Sequence, residues 1–126
     1  MKAKQMLVGL VCCLGLLGFQ SAMAATAAIK TMAGIMMNLN HYPSDAEKKT
    51  LQGLVDSGDA TAAEKTMASA MINLQHAATA ADKEKLSAIM KDANATADEK
   101  ALAEIIHNLS HMASGDDKKK LKAMMN

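Results

Sequence analysis

The tetrapeptide Asn38-Leu39-Asn40-His41 recurs as Asn73-Leu74-Gln75-His76 and again as Asn108-Leu109-Ser110-His111, each time 35 residues further along. A fixed period of that length marks one supersecondary unit copied in tandem, and it limits the chain to architectures in which copies lean on one another. The register extends well beyond the tetrapeptide. Thr26, Thr61 and Thr96 align, as do Lys30, Lys65 and Lys100, then Lys48, Lys83 and Lys118, then Leu51, Leu86 and Leu121. The units run 26–60, 61–95 and 96–126; the first two agree at 15 of 35 positions and the last two at 15 of 31. The unit length is similar to that of a TPR repeat, but the Trp, Gly, Tyr and Pro signature of that repeat is missing.

Each unit reads as helix–turn–helix. Thr61…Glu64 and Thr96…Glu99 are capping boxes, in which a hydroxyl satisfies a free amide of the first turn and the acid reaches back. Thr26 keeps the cap, but Ile29 stands where the acid should be. Ser44…Glu47, Thr79…Asp82 and Ser114…Asp117 open the second helices in the same way. Pro43, Ser57-Gly58-Asp59 and Asp92-Ala93-Asn94 supply breaks. First helices are expected at about 27–41, 62–77 and 97–112, and second helices at about 45–56, 80–91 and 115–125. Met32-Met36-Leu39, Met67-Met71-Leu74 and Leu102-Ile106-Leu109 form apolar stripes at helical spacing, joined by Leu51, Leu86 and Leu121. One hairpin cannot bury its own stripe, so the expected fold is all-α, six short helices in a small repeat bundle or short solenoid.

The segment before the first unit has a different character. Lys2 and Lys4 precede an uncharged, mostly apolar run from Met6 to Phe19, and Ala22-Met23-Ala24 offers the small residues a signal peptidase accepts. A run of 14 residues is too short to span about 30 Å of hydrocarbon. Residues 1–24 are therefore expected to be a signal peptide cleaved after Ala24, leaving one domain, 25–126, in the periplasm with no stable membrane anchor. Cys12 and Cys13 both lie inside the leader, so the remainder would enter an oxidising compartment without thiol chemistry.

Composition narrows the function classes. Without Lys2 and Lys4 the fourteen cations, all lysine, fall to twelve against thirteen acids, a formal charge of −1. A nucleic-acid surface would need a basic excess, arginine forks and stacking aromatics, and past the leader the sole Phe, Tyr or Trp is Tyr42. No glycine-framed serine and no acid/base pair outside the caps points to catalysis, so a non-enzymatic protein without an obligate cofactor is expected.

A second set of recurring residues lies off the apolar stripe. Counted at about 100° per residue, Lys30, Met37 and His41 form a ridge with Asn38 beside it. The ridge continues as Lys65, Ile72, Asn73 and His76, then as Lys100, His107, Asn108 and His111. Two readings are open. In one, each histidine sits in the last turn of its helix and bonds free carbonyls at the negative end of the dipole, as part of a joint or a contact surface for a protein partner or a second copy. In the other, Met37, His41, His76, His107 and His111 are metal donors, with Met37/His41 and His107/His111 as i, i+4 pairs. Thioether with imidazole suits copper(I), and imidazole alone suits copper(II) or zinc. In an open stack, successive first helices stand about 8–10 Å apart, too far for His41, His76 and His111 to share one ion. They can share one only if the units close around a common axis.

Overall fold

The computed structural model describes residues 26–126, and the leader expected over 1–24 lies outside them. It is all-helical: α1 (Ala27–Asn38), α2 (Asp45–Asp56), α3 (Ala62–Ile72), α4 (Ala80–Lys91), α5 (Ala97–His107) and α6 (Gly115–Met125). None of these helices is long and apolar enough to cross a membrane.

All six caps fall on the residues expected. Thr26, Thr61 and Thr96 accept from the amides of Ile29, Glu64 and Glu99, while Ser44, Thr79 and Ser114 accept from Glu47, Asp82 and Asp117. The reciprocal bond back to the cap amide forms at Glu47, Glu64 and Glu99. It is not formed at Asp82 or Asp117, whose side chains are one methylene shorter than glutamate, so those two expected boxes are one-sided. Asp82 is buried and instead accepts from Asn73 Nδ2 at 3.2 Å.

The second helices occupy the expected spans, but the first helices do not. They stop at Asn38, Ile72 and His107, three to five residues before the expected ends at 41, 77 and 112. Leu39, Leu74 and Leu109 follow within two residues and are buried, so the chain leaves the helix while still anchored in the core. The apolar stripes of α1, α3 and α5 are buried throughout, together with Leu51, Leu86 and Leu121. Each buried leucine contributes about 1.5–3 kcal/mol. Ala33, Ala68 and Ala103, 35 residues apart, are fully buried on α1, α3 and α5, and these three helices touch one another. Alanine there lets the backbones approach closely.

The main helix pairings cross from one segment to the next. α2 lies along α3, α4 along α5, and α6 returns to lie along α1. First and last helices are therefore neighbours, and the arrangement is a closed bundle rather than an open solenoid. Both ends of the inner helices are also cross-linked. Near their starts, Thr26 Oγ1 donates to Glu64 Oε2, and Thr61 Oγ1 donates to Glu99 Oε2 at 2.6 Å. Beyond their C-terminal ends, the histidine segments meet, so α1, α3 and α5 run in the same direction.

Candidate metal centre

Two residues past each buried leucine, the backbone turns sharply. His41, His76 and His111 have φ of 76°, 71° and 68°, the only non-glycine residues with positive φ among those described. Around His111 the bend is a three-residue turn in which Met112 N donates to Ser110 O at 2.8 Å. Such a conformation costs a non-glycine residue on the order of 1–3 kcal/mol and persists only where its surroundings impose it.

Here the surroundings are the other two histidines. His41 N donates to His111 O at 2.7 Å, His76 N to His41 O at 2.8 Å, and His111 N to His76 O at 2.6 Å. Three main-chain amides and three carbonyls thus form one closed ring. The ring satisfies the backbone groups of all three residues and leaves the imidazoles free to converge. Ring centroids are 4.9, 5.1 and 5.0 Å apart, with edge-to-face interplanar angles of 88°, 85° and 68°. One nitrogen from each ring lies within 4.8 Å of one from each of the others.

The trio is accessible to solvent, with His41 half-buried and His76 and His111 exposed. Ser110 Oγ lies 3.3 Å from His111 Nδ1, a contact that orients this ring and leaves Nε2 for another partner. An ion bound by three nitrogens at about 2.0–2.1 Å in tetrahedral directions holds them about 3.3–3.4 Å apart. The present spacing, within 4.8 Å, exceeds that value by about 1.5 Å, the contraction an ion would require of the three side chains.

The five metal donors expected from the sequence therefore divide. His41, His76 and His111 come together. Met37 is half-buried and packs against the core, and His107 Nδ1 lies 3.0 Å from Asn108 Oδ1, outside the trio. Because α1 and α5 end at Asn38 and His107, the expected i, i+4 pairs Met37/His41 and His107/His111 do not share a helix face. The histidines likewise do not sit in a last helical turn, as the capping reading required.

The rest of the ridge disperses. Lys30 is exposed and Lys65 and Lys100 are half-buried, all in the N-terminal parts of their helices. The asparagines make three different contacts: Asn38 Nδ2 donates to Gly34 O at 3.2 Å, Asn73 bonds Asp82, and Asn108 meets His107. They close helix ends and add no donor to the trio. Sequence reasoning missed the residues lining a cavity of about 290 Å³ beside His76, which are Tyr42, Lys48, Leu74 and Gln75. Lys48 was visible as one of three lysines in register, but nothing local placed it near a histidine of the next segment.

Comparison with protein-family models, curated proteins and solved structures finds no match.

Proposed function

We propose that this chain is an exported, periplasmic, non-enzymatic metal-binding protein, built as three copies of one unit closed around an axis. One histidine from each copy supplies a ligand to a single divalent ion. The observation that carries the reading is the convergence of His41, His76 and His111 on strained backbone, each 35 residues from the next. If a positive φ were all the turn required, glycine would supply it without strain. Three imidazoles without thiolate or thioether favour zinc or copper(II) over copper(I), so zinc and copper(II) are the ions proposed.

The test is titration of purified protein with zinc and with copper(II) in competition with a chromophoric chelator. One ion per chain is expected. His41→Ala, His76→Ala and His111→Ala should each weaken binding by more than about a hundredfold, since removal of an outer-shell partner alone costs 10–100-fold. His107→Ala and Met37→Leu should leave it unchanged. Binding should also fall in acid, because protons compete with the ion for imidazole nitrogens. Wild-type affinity in His76→Ala, or loss confined to His107→Ala, would reject the proposal.

A second reading, docking of a protein partner or of another copy, is favoured by one observation. Tyr42 is 58% exposed and Met112 46% exposed, and each directly follows a histidine of the trio. Light scattering with and without zinc tests it: a mass that doubles with metal would support docking at this apex, and a constant monomer mass would count against self-association.

A further inference from the structure

The three histidines supply three neutral ligands, so a bound dication keeps its double charge and an open position toward solvent. Three-ligand zinc sites fill that position with water or a ligand. The residues beside the three histidines differ from one face of the trio to another. A cavity of about 290 Å³ is lined by Tyr42, Lys48, Gln75 and the buried Leu74 together with His76, the one member of the trio on its lining. It neighbours a larger cavity of about 540 Å³ that shares Lys48, Leu74 and Gln75 and extends past Ala77 to Thr79. On the corresponding face beside His111 the register places Ala77, Lys83 and Ser110, and beside His41 it places Met112, Lys118 and Asn40. All three faces have a lysine, but only the first combines it with a phenol and a long amide.

We infer that the cavity beside His76 binds a small oxyanion, a carboxylate or a phosphate, as the fourth ligand of the ion held by His41, His76 and His111. The inference rests on the metal reading. Lysine acts there as a point charge toward a second oxygen of the ligand, the Gln75 amide and Tyr42 hydroxyl are further donors, and Leu74 with the Tyr42 ring accommodates a short apolar body. The volume lies at the low end for small-molecule sites, which fits an anion of a few heavy atoms.

The experiment uses cobalt(II)-loaded protein, with metal content measured first, and follows the visible absorption of the ion during titration with acetate and, separately, inorganic phosphate. A saturable spectral change with at least one probe is expected, and the tighter probe identifies the class. Lys48→Met should raise the apparent Kd about tenfold, the size of one charge-assisted hydrogen bond, while Lys83→Met and Lys118→Met leave it unchanged. Failure of cobalt to load at the trio defeats the metal reading itself. Normal loading with no saturable change for either anion, or equal weakening by all three lysine variants, overturns the anion site alone.

Discussion

The two ends of the inner helices solve the same problem, joining three segments, with different tolerance for defects. At the N-terminal end the links are Thr26 to Glu64 and Thr61 to Glu99, and the third is missing because Ile29, fully buried, occupies the position of the acid. At the C-terminal end all three positions are histidine, all three have positive φ, and the hydrogen-bond ring closes completely. A joint that only adds stability works with two links of three, since apolar packing by Ile29 replaces a hydrogen-bonded carboxylate. The metal site proposed for the other end would need three donors on one ion and could not work with two. The intact end is also the strained one, opposite to what stability alone would produce.

The comparison can be sharpened by repairing the defective end. Ile29→Glu places an acid where Thr96 has no bond to another segment among the described residues, whereas Ile105→Glu places one in the core at a position outside the Thr–Glu links. Ile105→Glu should cost more than about 4 kcal/mol, the range of an uncompensated buried charge, and Ile29→Glu less than half of that, as read by urea denaturation. Equal losses would show that the ends are not related as described. Removing an existing link is the next largest effect. Glu99→Ala deletes both the bond from Thr61 and the capping box with Thr96, and should cost about 2 kcal/mol. The smallest effect has the opposite sign: His76→Gly in metal-free protein should stabilise by about 0.5–1 kcal/mol through relief of the positive φ, while abolishing metal binding. A loss of stability there would mean the imidazole contributes structurally without an ion.

Much of this was legible from local chemistry. The six caps, the weakened box at Thr26 and the spans of the second helices follow from side chains that act within one turn, and the buried stripes follow from helical period. The ends of the first helices were not legible. Neither glycine nor proline marks the exit after Asn38, Ile72 or His107, and the feature that forces it is a ring of bonds between residues 35 and 70 positions apart. Counting helical angles through Leu39 to His41 therefore put the histidine on a helix face that does not exist. Closure itself was equally hidden, because it depends on α6 meeting α1 rather than on any short pattern. The dependence of a shared site on closure was readable, but the closure was not.

The most direct measurement is anomalous diffraction at the zinc edge from crystals grown with one equivalent of zinc. The account predicts one strong peak per chain, about 2.0–2.1 Å from a nitrogen of each of His41, His76 and His111. A peak beside His107 or the carboxylates instead, or zinc content in solution with no ordered ion at the trio, would contradict it.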